Sequence, residues 1–245
     1  MTEIGAGVRR SMLLRSFAVQ GSWNYRTLIG TGLAFVMAPA LRQVHRDDPT
    51  RLAQATARHA ELFNAHPYFA GVAAGALARL EADGVPPEMQ ARFKSALRGS
   101  LGTLGDRLVW LMWRPACALL GVGLVAAGAV WWIGVVAFLL THNALHLWLR
   151  AWGLRTGLRD GLAVARALRE SPLQRLGDRA GDAGAALAGF AAVMLAGGGA
   201  RGAAELALGA AAVAAGLLLK KHVRTAIAVA LLAVLVAGTV LARTL

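Results

Sequence analysis

The sequence holds a single cysteine, Cys117, in 245 residues. An intrachain disulfide and a thiol metal cluster are therefore excluded. Prolines number 7 and aromatic residues make up 7%, so the apolar mass is Ala, Leu, Val and Gly. Period-2 alternation is nearly absent, which argues against strands. Carboxylates are few: 13 Asp and Glu stand against 26 Lys and Arg, a formal net charge of +13. There is no Gly-Lys-Ser/Thr phosphate loop and no carboxylate cluster for magnesium. No catalytic residues, cofactor or resident metal are expected. No repeat of roughly 20–50 residues is evident. Met1 to Gly30 lacks a compact apolar core with a small-residue cleavage site, so no signal peptide is expected.

What is present is hydrophobic. The apolar fraction is 57% and the mean hydropathy +0.53, beyond an ordinary soluble domain. Pro115 to Leu149 carries no Asp, Glu, Lys or Arg, which exceeds the roughly 20 residues that span a bilayer as a helix. Small residues suit helix–helix contact in lipid, where packing drives association. The expected fold class is all-α: a polytopic helical membrane protein with amphipathic and re-entrant helices in its N-terminal half. The positive charge is spread between apolar segments, as insertion requires of cytoplasmic loops. It is not gathered into a domain, so nucleic acid is not an expected partner, whereas membrane lipid is.

Four regions follow. Residues 1–114 read as amphipathic and re-entrant. The first stretch, 1–26, alternates Arg9, Arg10 and Arg15 with Met12, Leu13, Leu14 and Phe17, as a helix at a membrane surface would. Thr27–Leu41 and Pro67–Ala78 are uncharged but too short to span comfortably. Asp48-Pro49 supplies a cap and a first-turn proline, with Leu52, Ala55, His59, Leu62 and Phe63 on one helical face. His66-Pro67 should end that helix. Asp83-Gly84 predicts a turn, and Pro86-Pro87 a helix burying Met89, Phe93, Ala96 and Leu97. Gly99–Asp106 should break it. Region 115–149 is a membrane run, either one long tilted helix or a span continuing into an interfacial segment. Region 150–182 is a basic connection with seven Arg. Region 183–245 holds three spans, 183–200, 202–219 and 225–242. Lys/Arg bias places 150–182 and 220–224 in the cytoplasm, with Arg201 outside.

Several strings stand out together. They are Arg15-Ser-Phe-Ala-Val-Gln20-Gly-Ser-Trp-Asn-Tyr25, then Phe63-Asn-Ala-His66-Pro-Tyr68, then Gly99 to Asp106 with Trp110 and Arg114-Pro115. Asn143 and the Arg150-to-Gly157 segment follow. In this order they resemble the signatures of the IID membrane component of the mannose/fructose/sorbose-type sugar phosphotransferase system. The resemblance covers roughly residues 10–160. It implies a multi-pass protein of the bacterial inner membrane that pairs with a IIC-like membrane subunit to conduct a sugar, in a higher oligomer. Soluble IIA and IIB components would carry the phosphate. Two positions depart from the family pattern: Arg26 replaces the usual Glu, and Arg107 the usual Pro.

The candidate substrate-binding residues are Gln20, Trp23, Asn24, Tyr25, Asn64, His66 and Asp106. Trp23-Asn24-Tyr25 offers an aromatic face, an amide and a hydroxyl to a sugar ring, although Trp and Tyr also anchor at membrane interfaces. His66 could bond a sugar or cap a helix. Asp106 beside a membrane run needs a task or a partner, and Arg107 or Arg114 could be that partner. His142 and His146, at i and i+4, would share a helix face, but two ligands do not complete a metal set. Glu205 should pair with Arg201. The alternative function is a non-transporting regulatory membrane scaffold for phosphotransferase components, which the cations at 26 and 107 would suit.

Overall fold

Prolines begin two of the helices of the N-terminal half, one of them with a carboxylate cap, and glycines decide how closely the helices pack. The computed structural model describes residues 3–196. The described residues divide into two compact units, 3–106 with 145–173, and 107–144 with 174–196. The expected spans 202–219 and 225–242, with Arg201, Glu205 and 220–224, lie outside the described residues. The described chain is helical, and its only strand-like pairings are single-residue bridges, Asn24 to Leu28 and Leu28 to Phe63.

The first unit is built around one buried helix. It contains α1 (Ala6–Ser16), α2 (Gly30–Val44), α3 (Pro49–Ala60), a 3-10 turn (Pro67–Phe69), α4 (Ala70–Ala82) and α5 (Pro87–Gly105). The end of α7 (Trp131–Asp160) and α8 (Val164–Glu170) complete it. Every residue of α4 from Ala70 to Ala78 is buried. A helix apolar all round belongs inside, which explains the uncharged stretch read from the sequence. Its glycines admit a second backbone. A Cβ on Gly75 would lie 2.5 Å from the Leu154 carbonyl oxygen, and one on Gly157 would lie 2.3 Å from that of Val72. Gly71 and Gly153 repeat the contact one turn away. Two Gly-x-x-x-Gly faces therefore cross, a packing suited to helices in lipid.

α3 starts where Asp48-Pro49 predicts: the Asp48 carboxylate accepts from the Arg51 amide at 2.9 Å. It stops at Ala60, earlier than expected, so Leu62 and Phe63 are not on its face. Lys94 of α5 explains the early stop. Its Nζ donates to the carbonyls of Arg58, His59 and Glu61 at 2.9, 3.1 and 3.2 Å, satisfying acceptors that a helix end leaves free. Gly84, at φ 68°, makes the expected turn. On α5 the buried face is Gln90, Lys94, Leu97, Leu101 and Gly105. Of the expected inward residues only Leu97 is buried; Met89 and Ala96 are exposed, because the face is set one position on by Lys94 and Gln90.

The Gly99–Asp106 segment does not break the helix. α5 runs through it, a π-helical segment continues over Asp106–Trp113, and α6 (Arg114–Ala126) follows. Glycine lowers helix propensity, but Gly105 is needed for contact: its Cβ would lie 2.2 Å from that of His66. The uncharged run 115–149 is likewise not a single helix. It turns at Gly128, φ 98°, and α6 and α7 meet backbone to backbone at Gly121 and Gly134. α9 (Leu173–Ala196) packs on α6 through Gly184 against Ala116. The basic stretch 150–182 is helical, being the end of α7, α8 and the start of α9. Two helical stretches, Pro87–Ala126 and Trp131–Leu195, are long and apolar enough to cross a membrane.

Candidate functional site where the motifs meet

After α1 the chain makes a tight loop held by Asn24. Its side-chain amide donates to the Ser22 carbonyl at 3.1 Å and Thr27 Oγ1 at 2.8 Å. Its Oδ1 accepts from the Arg26 and Thr27 amides at 3.0 and 2.9 Å. All four polar valences of that amide are thus used inside the loop. Leu28 takes a left-handed φ of 53°, and the chain then pairs with the second motif: Phe63 N–H donates to Thr27 O at 3.2 Å and Ile29 N–H to Phe63 O at 3.1 Å. Trp23 and Tyr25 meet edge to face at 4.9 Å, and Tyr25 is 90% exposed.

The expected site residues divide accordingly. Asn24 and His66 organise the backbone. His66 is 2% exposed, and its Nδ1 accepts from the Tyr68 amide at 3.2 Å, capping the 3-10 turn. Gln20, Trp23, Tyr25, Asn64 and Asp106 lie exposed. Motif pairing brings Asn24, Asn64 and His66 into one neighbourhood, and Gly105 against His66 brings Asp106 to its border. Gln20 makes no side-chain hydrogen bond among the described residues. Neither expected cation partners Asp106. Arg107 bridges Asp178 at 2.8 Å, and Arg114 sits over the Trp110 ring at 5.2 Å. The Arg26 side chain is exposed, and only its backbone amide enters the loop.

The centre of the site is a residue that sequence reasoning did not single out, Arg150, which is 4% exposed. Its NH1 donates to the carbonyl of Ser16, with Ser16 Oγ at 3.3 Å, and its Nε donates to His146 Nε2 at 2.6 Å. The guanidinium lies 4.8 Å from the Phe17 ring centroid and 5.4 Å from that of Tyr68. Tyr68 in turn stacks on His146 at 3.9 Å. One cation therefore joins the first, second and fourth motifs, and Gly105 adds the third through His66. No carboxylate lies within ion-pair distance of Arg150 among the described residues. Its charge is spread over carbonyl, imidazole and ring faces, which a planar guanidinium accommodates better than an ammonium. Because His146 accepts at Nε2, its proton is on Nδ1. His142, the other histidine of the i, i+4 pair read from the sequence, stacks on Phe138 at 5.5 Å. The usable signal was His146 with Arg150, also at i and i+4.

A second polar cluster steadies the helices behind the loop. Glu81 on α4 accepts from Arg58 NH2 at 2.5 Å, His59 Nε2 at 2.8 Å and His45 Nε2 at 3.0 Å. Burial alone would raise its pKa, but the hydrogen bonds and charges of His59 and Arg58 outweigh it and hold the carboxyl at about 2. His59 is pulled below its ordinary value chiefly by burial, against the pull of Glu81. The consistent state is a neutral His59 donating through Nε2, with Arg58 supplying the positive charge.

The sequence model described as the mannose/fructose/sorbose family IID component of the phosphotransferase system (PTS) matches residues 3–193. The mannose-specific EIID component of Escherichia coli K12 is 31% identical over 172 residues, 68% of this chain and 60% of the relative. The sorbose-specific EIID component of Klebsiella pneumoniae is 32% identical over 181 residues, 71% of this chain and 64% of the relative. The chain thus spans less than two thirds of the length of these curated relatives. Among solved structures, the mannose transporter ManYZ in complex with microcin E492 contains a chain similar at TM-score 0.61 and 25% identity, over 97% of each chain. A structure described as a membrane protein is similar at TM-score 0.68 and 26% identity, over 97% of each chain. With the family match covering most of its length, the chain belongs to the IID component family of the mannose/fructose/sorbose phosphotransferase system.

Proposed function

We propose that this chain is the IID-type subunit of a sugar-conducting unit, completed by a IIC-like membrane subunit. It passes a hexose or related sugar inward, and soluble IIA and IIB components phosphorylate that sugar. It does no phosphoryl chemistry itself. The observation that carries this reading is the convergence of the family motifs on Arg150 and His66. A scaffold needs the fold, but it does not need an exposed aromatic pair beside exposed amide and carboxylate groups. In this reading Gln20, Trp23, Tyr25, Asn64 and Asp106 face the sugar, while Asn24 and His66 set the loop that presents them. Trp and Tyr faces pack on sugar C–H surfaces, and the carboxylate accepts from hydroxyls. Arg26 and Arg107 are compatible with that role, because one side chain points out of the loop's hydrogen bonding and the other is engaged by Asp178.

The protein sits as a multi-pass component of the bacterial inner membrane, in a higher oligomer. The test is uptake of labelled mannose, fructose and sorbose by membranes containing this chain and its IIC partner. Asp106→Asn and Tyr25→Ala should each lower uptake about tenfold, near 1.4 kcal/mol. If neither wild type nor variants respond to any of these sugars, the scaffold reading replaces this one.

A further inference from the structure

Residues of α3 and α5 that take no part in the motif site line a cavity of ≈ 190 Å³. Arg58, Lys94 and Arg98 face a single lining carboxylate, Glu61. Lys94 is committed to three backbone carbonyls, but the rest of the lining has unused capacity. Arg98 makes no ion pair among the described residues. Arg58 gives NH2 to Glu81, yet its buried Nε–H has no partner among the described residues. Gln90, 2% exposed, donates Nε2 to the Val85 carbonyl at 2.9 Å, yet its Oε1 has no acceptor role there. His59, fully buried, uses Nε2 on Glu81 and leaves Nδ1 without a partner. Unused buried donors and acceptors cost free energy. Here three of them belong to residues that line one cavity, each itself turned away from its open space.

Their chemistry is mixed, and that narrows the ligand. A bare anion would suit Arg58 and Arg98 but give Gln90 Oε1 nothing to accept. A neutral polyol would suit Gln90 but leave the Arg98 guanidinium unanswered, Arg58 being paired with Glu81 through NH2. A phosphate ester on a hydroxylated carbon skeleton answers both, since phosphate oxygens accept from guanidinium forks and a hydroxyl donates to the amide oxygen. The volume lies below the roughly 300–1,000 Å³ of pockets for drug-sized ligands, so the occupant is headgroup-sized. We propose that this cavity binds a small hydroxylated phosphate ester, with Arg98 and Arg58 on the phosphate and Gln90, its amide turning toward the ligand, on a hydroxyl. Two sources share this chemistry: a soluble sugar or glycerol phosphate, and the glycerol-phosphate headgroup of a membrane lipid.

The test uses the full chain, in the membrane complex with which it purifies, in phosphatidylcholine nanodiscs. Calorimetric titrations with glycerol 3-phosphate, glucose 6-phosphate, inorganic phosphate and glycerol are compared. A parallel thermal-unfolding series replaces phosphatidylcholine with phosphatidylglycerol. Arg98→Gln is the site variant, and Arg92→Gln, exposed on the same helix, controls for diffuse charge. A soluble source predicts that an ester binds at least tenfold tighter than phosphate or glycerol, with tenfold or greater loss in Arg98→Gln and none in Arg92→Gln. A lipid source predicts stabilisation only in phosphatidylglycerol, again lost in Arg98→Gln alone. No response in either series overturns the proposal. So does inorganic phosphate binding as tightly as the esters, or equal loss in both variants.

Discussion

The crossing of α4 and α7 makes one substitution carry opposite signs at two positions. A Cβ at Gly157 would sit 2.3 Å from the Val72 carbonyl oxygen and 2.6 Å from the Ala76 amide nitrogen, where ordinary contact begins at 3.4 Å. Both obstacles are backbone, so no rotamer can yield, and α4 and α7 must part by about 1 Å. Overpacking of that kind costs roughly 1–3 kcal/mol. Gly99 is also helical, but its added methyl would meet nothing within 4 Å. There the gain in helix propensity should stabilise by about 0.8–1.0 kcal/mol. Gly157→Ala and Gly99→Ala should therefore differ by about 2–4 kcal/mol, with wild type between them. Reversible unfolding of the purified membrane complex in mixed micelles, followed by tryptophan fluorescence, measures both. If Gly157→Ala is as stable as wild type, the backbones are not in contact and the account of this crossing is wrong.

Acid should destabilise the first unit in two steps. His59 has a lowered pKa in the fold, so below its ordinary 6.5 the unfolded chain takes up the proton and stability falls. Glu81, held at about 2 against an ordinary 4.5, contributes stability that is fully present above 4.5 and lost as pH falls toward 2. Melting temperature against pH should show both limbs, and Glu81→Gln should abolish the lower one while costing about 3–5 kcal/mol at neutral pH. A lower limb that persists in Glu81→Gln would locate it elsewhere. Asn24→Ala should cost about 1–3 kcal/mol in the same unfolding assay, because it strips loop amides of their acceptor. Tyr25→Ala should stay within about 0.5 kcal/mol of wild type while lowering sugar uptake. Arg150→Met should raise amide exchange across residues 17–29, and unchanged protection there would remove Arg150 from its central place.

Local signals were legible in the sequence and long-range ones were not. Asp48-Pro49, Asp83-Gly84 and Pro86-Pro87 each act within a few residues, so cap, turn and helix start lie where the sequence puts them. Glycine was ambiguous. The run from Gly99 reads as a break by propensity, yet it stays helical because Gly105 answers a neighbour, His66, far back in the chain. Apolar count alone could not show that the run 115–149 folds back at Gly128, since a turn inside lipid-compatible sequence leaves hydropathy unchanged. The face of α5 was misread because Lys94 looks like a surface residue until the free carbonyls of α3 are beside it. In the site, the motif residues were visible as a string, but their division between loop-building and exposed groups was not. Asn24 and Tyr25 are neighbours in sequence, and only hydrogen bonding separates their roles.

The bond from Arg150 to Ser16 spans 134 residues, and that separation has a consequence for biosynthesis. At roughly 5–20 residues per second, a ribosome that has just made Ser16 needs about 7–27 s to deliver Arg150. For that interval the loop bearing Trp23 and Tyr25 exists without the cation that ties it to the second motif. The nascent N-terminal segment therefore holds that loop by Asn24 and the Phe63 pairing alone until the cation arrives.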